Sequence, residues 1–319
     1  MILIFSILED PSTNHIVDWL TYYGEKVFRI NSSDDVVKYF ERFPNTFLSS
    51  NSSELKNDSI KSVWFRRPPL CITHPIFRNR EKKMIDSFFT SEHKAVFDIL
   101  FTTLKNKKWL NDEKSSRPRK LDQLLIAKDV GLLIPNTAII GTKSEMVDFC
   151  QKNKRTILKP IQDPRPIYIN RKMYLQYTAL VTKNLIKILP EVFYPCLFQQ
   201  FIDKNLEIRT FYLNEKCYSM AICSTFDRLT KIDFRRYNGK KPNRKVPYKL
   251  PLEIEEKIKN LMSKLKLNCG SLDFILDNHG KYFFLEVNPV GQFGMVSFPC
   301  NYNLEKLIAD FLIDDNDKK

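Results

Sequence analysis

Residues 271–289 constrain this chain more than any other stretch. Two apolar runs, Ser271-Leu272-Asp273-Phe274-Ile275-Leu276 and Phe283-Phe284-Leu285-Glu286-Val287-Asn288, flank the turn formers Asp277-Asn278-His279-Gly280, the composition of a β-hairpin. A tight turn centred on Asn278 and His279 predicts that Asp273 lies opposite Phe284. Because side chains alternate along a strand, Asp273, Phe284, Glu286 and Asn288 then share one face. Leu272, Phe274, Leu276, Phe283, Leu285 and Val287 share the other. The second face is core. The first gathers two carboxylates and an amide in an apolar hairpin, where such groups need a cation or hydrogen-bond partners. Magnesium suits them, since it takes one or two carboxylates together with phosphate oxygens and water. The plainer alternative is a solvated strand end at which Glu286 and Asn288 have no role.

At 319 residues, 43% hydrophobic and 13% aromatic, the chain is long enough for two or three packed units. The opening Met1-Ile2-Leu3-Ile4-Phe5-Ser6-Ile7-Leu8 has no basic region before it and is too short to span a membrane. It predicts a buried first strand and a cytoplasmic protein. Seven scattered cysteines without a Cys-x-x-Cys predict free thiols rather than disulfides or zinc, and the four histidines lie too far apart to suggest ligands. A formal charge of +14 asks for an anionic partner: nucleic acid, a membrane, nucleotide phosphates or an acidic peptide. The basic residues are dispersed, densest at 235–245, with no zinc finger, arginine-rich tail or basic amphipathic helix. That argues against nucleic acid.

The first third reads as alternating strand and helix: a helix through Ile16, Val17 and Leu20, a break at Gly24, a strand over 26–30, and a helix opened by Asn31-Ser32-Ser33-Asp34. No Gly-x-Gly-x-x-Gly supports a dinucleotide site. Val63-Trp64-Phe65-Arg66-Arg67-Pro68 is a short strand with Arg66 and Arg67 at its tip, either solvated or an anion clamp. A helix over 81–105 carries the core stripe Val96, Phe97, Leu100, Phe101 and Leu104. Residues 120–130 form a helix stopped by Gly131, followed by strands over 137–140 and 156–159. Lys159 ends the second of these, as a snorkelling edge lysine or a phosphate contact. A strand over 174–181, three strands between 197 and 222, a helix over 252–265 and a last helix over 304–312 complete the pattern.

Taken in order, these pieces resemble the ATP-grasp superfamily over essentially the whole chain. Arg119-Lys120-Leu121-Asp122-Gln123 with Ile134-Pro135-Asn136-Thr137 looks like the first nucleotide lysine, its helix and the following strand. Ile157-Leu158-Lys159-Pro160 matches the second nucleotide lysine, and Glu207-Ile208-Arg209 an element whose arginine reaches phosphate. Gln199, Gln200, Phe201, Ile202 and Asp203 resemble the hinge that holds adenine on backbone groups and ribose on a carboxylate. Asp273, Glu286 and Asn288 match the magnesium triad. Within the superfamily the chain is most similar to graspetide maturases of the grasp-with-spasm type. The marks are the Val63–Pro68 motif, Asp233-Phe234-Arg235-Arg236-Tyr237-Asn238 and Asn288-Pro289-Val290-Gly291-Gln292-Phe293.

The resemblance implies an α/β ATP-grasp fold with an N-terminal unit over 1–115, a central unit over 116–195 and a last unit over 196–319, and ATP and magnesium between the last two. It also implies Lys120 and Lys159 on the α- and β-phosphates, and Arg209 with Arg235 or Arg236 on the γ-phosphoryl. Arg66, Arg67 and Arg165 are further substrate contacts. The implied partner is a ribosomally made acidic precursor peptide, whose Asp or Glu carboxylates would be phosphorylated and joined to Ser, Thr or Lys, with a homodimer as the assembly. The alternative is a carboxylate-amine ligase of the ribosomal-protein glutamate ligase type, acting on a protein C-terminus or a small molecule. One departure stands out: the phosphate-covering segment 159–174 has no glycine, so phosphate contact there would fall to side chains.

Overall fold

The computed structural model describes residues 1–31, 47–50, 53–67, 81–162, 167–174, 178–224 and 242–314. The first unit comprises β1 (Ile2–Ser6), α1 (Pro11–Tyr22), β2 (Val27–Asn31), β3 (Phe47–Ser50), β4 (Ser53–Lys56), β5 (Ser62–Phe65), α2 (Glu81–Thr103) and β6 (Lys108–Leu110). Four strands form a parallel sheet ordered β2-β1-β5-β6, and β3 with β4 makes a separate ribbon. Parallel neighbours need crossovers, which α1 and α2 supply. Ile2, Leu3, Ile4 and Phe5 of β1 are all fully buried, as a central parallel strand covered on both faces requires. Phe97, Leu100 and Leu104 of the expected α2 stripe enter this core and Phe101 packs on it. The Val96 side chain and the helix expected after Asn31 lie outside the described residues.

The central unit comprises α3 (Lys120–Asp129), β7 (Thr137–Thr142), α4 (Lys143–Lys152), β8 (Thr156–Lys159), β9 (Ile167–Ile169), β10 (Lys172–Tyr174), β11 (Ala179–Leu180), α5 (Lys183–Ile188) and β12 (Val192–Gln200). Its main sheet is ordered β11-β8-β12-β7. β12 starts before Pro195, which sits where the register with β7 shifts between Val192 and Cys196. An irregular stretch of ladder is where a strand tolerates a residue without an N–H. β12 runs whole in this sheet, across the boundary expected at 195. The strand expected over 174–181 divides between β10 and β11, which belong to different sheets. The glycine-free basic segment turns between β9 and β10 on Asn170 and Arg171, both at positive φ (49° and 63°). A two-residue hairpin loop needs that geometry, and asparagine adopts it readily.

The last unit comprises β13 (Lys204–Leu213), β14 (Lys216–Cys223), β15 (Arg244–Tyr248), α6 (Leu252–Lys264), β16 (Cys269–Asp277), β17 (Tyr282–Asn288), α7 (Gly294–Cys300) and α8 (Leu304–Ile313). Its antiparallel sheet is ordered β15-β14-β13-β16-β17. On one face, Leu124 and Ala127 of α3 and Ile258, Leu261 and Met262 of α6 bury with Leu272, Phe274, Phe284 and Val287. At its other end α8 lies against α1. There Ile2, Ile16, Leu20 and Trp64 share a core with Leu304, Ile308 and Leu312, and Ser62 Oγ donates to the Leu312 carbonyl at 2.7 Å. The first and last units are thus built on one another. Among the described residues no helix is long and apolar enough to cross a membrane.

Candidate nucleotide and metal site

The β16–β17 hairpin closes through a turn longer than expected. The N–H of Asp277 donates to the Lys281 carbonyl at 3.0 Å, Asp277 Oδ1 accepts the N–H groups of His279 and Lys281 at 2.8 Å each, and Gly280 takes φ +77°. A left-handed glycine ending a three-residue loop produces this geometry. A bulge follows: Phe274 pairs with Phe284, but Asp273 pairs with Glu286 and Ser271 with Asn288. The expected pairing of Asp273 with Phe284 is corrected accordingly. Asp273, Glu286 and Asn288 keep the common face expected of them, whereas Phe283, Phe284 and Leu285, before the bulge closes, take the faces opposite to those expected. Phe284 is fully buried against Phe274, ring centroids 5.6 Å apart, while Leu285 joins Asp273 and Glu286 on a pocket wall. The correction favours the metal reading, because directly opposed residues lie closer than diagonal ones.

Two cations face these carboxylates. Lys120, the first residue of α3, holds Nζ 3.5 Å from Glu286 Oε2. Arg209 stands opposite Asp273 in the β13–β16 register, with Nη1 3.1 and 3.3 Å from the two carboxylate oxygens. Arg209 is buried, and its Nε has no hydrogen-bond partner among the described residues. Asn288 Oδ1 accepts the Val290 N–H at 3.1 Å and keeps a second lone pair.

α3 is fixed to the edge strand β17 by Gln123, whose Oε1 accepts the Val287 N–H at 2.8 Å between Glu286 and Asn288. The Phe284 N–H similarly donates to Leu133 O at 2.8 Å. Edge strands need such partners for their outward backbone groups. Nothing in the sequence singles out Gln123, a helical glutamine among many polar neighbours.

The opposite wall belongs to the central sheet. Lys159 Nζ donates to Gln199 Oε1 at 2.9 Å, and Gln199 Nε2 to Thr137 Oγ1 at 3.0 Å, so the Gln199 side chain is turned inward. At the hinge, the Gln200 N–H donates to Asn136 O (2.8 Å) and the Phe201 N–H to Arg155 O (2.9 Å). Those two donors are spent within the fold, and the N–H groups of Ile202 and Asp203 follow them along the chain. Asp203, expected at a ribose, pairs with Arg155 at 2.5 Å, and the guanidinium of Arg155 lies 3.9 Å from the Phe201 ring centroid. Between the walls runs an apolar slot that includes Ile157, Leu197, Ile208, Ile222 and Phe274. Lysines 120 and 159, Arg209, Asp273 and Glu286 all line this one pocket.

Arg66 is not open to a substrate. It is buried, with Nε 2.6 Å from Asp10 Oδ2 and Nη1 2.5 Å from the Val290 carbonyl, and its guanidinium lies over the Trp64 and Phe293 rings. Asp10 at the start of α1 draws it inward, which the sequence does not reveal because the two residues are far apart in it. Arg67 is partly exposed and reaches the same carboxylate at 3.4 Å. Arg165, Arg235 and Arg236 lie outside the described residues.

No protein-family model and no curated protein matches the sequence. Among solved structures, the macrocyclase MdnC bound with precursor peptide MdnA from Microcystis aeruginosa matches at TM-score 0.82 and 23% identity, covering 98% of this chain and 99% of that one. The RiPP-associated ATP-grasp ligase of Chryseobacterium gregarium, in complex with ADP and a leader and core peptide, matches at TM-score 0.81 and 24% identity, covering 98% and 96%. This chain has the ATP-grasp fold. A third ATP-grasp structure, PsnB complexed with a phosphomimetic precursor variant, Mg and ADP, matches at TM-score 0.71 and 15% identity over 98% and 97%. The donors present fit magnesium: two opposed carboxylates and, at the end of β17, the amide oxygen of Asn288, all hard oxygen ligands.

Proposed function

We propose that this protein is an ATP-dependent ligase that activates side-chain carboxylates of a ribosomally made peptide and joins them to hydroxyl or amine groups of the same peptide. The observation that carries the proposal is the single pocket lined by Lys120 of α3, Lys159 of the central sheet, and Arg209, Asp273 and Glu286 of the last sheet, with Lys120 on Glu286 and Arg209 on Asp273. Phosphoryl transfer relies mainly on positioning and charge neutralisation, and this set supplies both. The likeness to MdnC bound with its precursor and to the Chryseobacterium ligase with leader and core peptide supports a peptide as the substrate.

In this scheme the apolar slot takes the adenine ring and the Ile202 N–H its polar edge. Lys120 and Lys159 hold the α- and β-phosphates, and Arg209 meets the γ-phosphoryl group. Asp273, Glu286 and Asn288 would hold magnesium, which when bound neutralises phosphate charge. A substrate carboxylate oxygen attacks the γ-phosphorus, the bond to the bridging oxygen breaks, and ADP leaves. The acyl phosphate is then attacked at carbon by a Ser or Thr hydroxyl, giving an ester, or by a Lys amine, giving an amide. Inorganic phosphate departs and the nucleophile loses its proton. Each linkage removes the elements of one water from the peptide.

An acidic precursor suits the +14 charge of the chain. A homodimer in the cytoplasm completes the proposal, and sedimentation velocity checks the assembly. The deciding experiment is mass spectrometry of an acidic precursor peptide incubated with enzyme, ATP and magnesium. Loss of one water per linkage, abolished in Glu286→Gln, is the expected result. An unchanged mass with ATP consumed only when a free amine is supplied would overturn it in favour of a small-molecule ligase.

A further inference from the structure

Three consecutive carbonyls follow Asn288, and side chains of the first unit take all three. Pro289 has no N–H and ends the β17 ladder. Its carbonyl accepts Asn111 Nδ2 at 3.1 Å, and the Val290 and Gly291 carbonyls accept Arg66 Nη1 at 2.5 and 3.4 Å. The turn is otherwise closed on itself: the Gly291 N–H donates to Asn288 O at 3.0 Å, and the Val290 N–H to Asn288 Oδ1.

Both side chains are held from behind. Asn111, just past β6 and at φ +52°, gives its Nδ2 also to Cys269 O at 2.9 Å, and its Oδ1 accepts the N–H groups of Asn268 and Cys269 at 3.2 and 3.1 Å. It therefore joins the start of β16 to the end of β17. Arg66 is anchored by Asp10 and sandwiched by Trp64 and Phe293. Both residues are about 4% exposed, so neither reaches solvent or the nucleotide pocket wall.

We propose that Asn111 and Arg66 are positioning residues that set the Asn288 side chain through the backbone of the turn after it, so that the first unit tunes a metal ligand it does not touch. The inference rests on the reading that Asp273, Glu286 and Asn288 hold magnesium with the nucleotide. Groups that orient metal ligands typically alter metal affinity by about 10- to 100-fold when removed.

The test is calorimetric titration of AMPPNP into the full chain, in magnesium and in EDTA, for wild type, Asn111→Gly and Arg66→Lys. Glycine is at ease at the positive φ of residue 111, so Asn111→Gly removes the amide without straining the backbone. The wild type is expected to bind more tightly with magnesium. Both variants are expected to lose about tenfold or more of that enhancement while their affinity in EDTA stays within about twofold. Should Arg66→Lys fail to fold, Asn111→Gly decides alone. A wild type without magnesium enhancement would remove the metal reading and this proposal together. A wild-type enhancement retained by the variants would overturn this proposal only, as would equal weakening in magnesium and EDTA.

Discussion

Lys159 Nζ sits 2.9 Å from Oε1 of Gln199, and the same buried amide donates to Thr137 at 3.0 Å. The Gln199 side chain thus orients Lys159, the lysine proposed to meet the nucleotide. Gln199→Leu leaves the Thr137 hydroxyl and the lysine without this partner, so ATP affinity is expected to fall about three- to tenfold, measured by titration calorimetry.

Glu286→Gln and Asp273→Asn separate chemistry from stability. The Lys120–Glu286 pair is partly exposed and 3.5 Å long, so its loss should change stability by about 0.5 kcal/mol or less. ADP release with peptide should nevertheless drop about 100-fold or more, because the magnesium that Glu286 would hold supplies the charge compensation at the phosphoryl group. Asp273→Asn strips the buried Arg209 of its counter-charge and should cost about 2 kcal/mol as well as activity. Denaturant midpoints and a coupled ADP assay distinguish the two variants.

The Asp10–Arg66 pair predicts an acid-sensitive contribution to stability. Burial alone would raise the Asp10 carboxyl, but the hydrogen bond and charge of Arg66, with the charge of Arg67, outweigh it and hold the pKa below the ordinary 3.8. A depressed folded pKa means that the contribution is complete above the unfolded pKa and disappears as pH falls through the folded one. Asp10→Asn should therefore be less stable than wild type near neutrality, with the gap closing below about pH 4. Urea midpoints across that range check the sign.

Gly291 has φ +53°, and a β-carbon there would meet the Phe211 ring at 3.0 Å. Gly291→Ala combines backbone strain with a clash and should cost about 1–3 kcal/mol, read from thermal unfolding.

Burial pushes the Cys217 and Cys269 thiols up to about 12. Both should stay unmodified by iodoacetamide in the folded protein at about pH 8 and react only on unfolding, as peptide mapping would show.

Much of this was readable from residue order. Strand and helix alternation in the first unit follows from burial patterns of period two and 3.6, and the C-terminal hairpin from its turn formers. Lys120, Lys159, Arg209, Asp273 and Glu286, far apart in the chain, line one pocket. The register of the hairpin was not legible, because a left-handed Gly280 and one extra residue, Leu285, decide it, and either would have been compatible with the same apolar run. β15 escaped because its basic, proline-containing sequence suits only an edge strand. Asn111, Gln123 and Asp10 escaped for another reason: their partners lie far along the chain or on backbone groups, and no spacing announces such a contact.

The joining of α1 to α8 bears on how the protein is made. Ile2, Ile16 and Leu20 share one core with Leu304, Ile308 and Leu312. Chains emerge from the ribosome with the N-terminus first, at about 5–20 residues per second. Residues 2–20 are therefore made well before the α8 residues that help cover them. Leu3 and Phe5, on the other side of β1, pack on α2 within the first unit, so the demand for chaperone protection falls on the face of that unit that waits for α8.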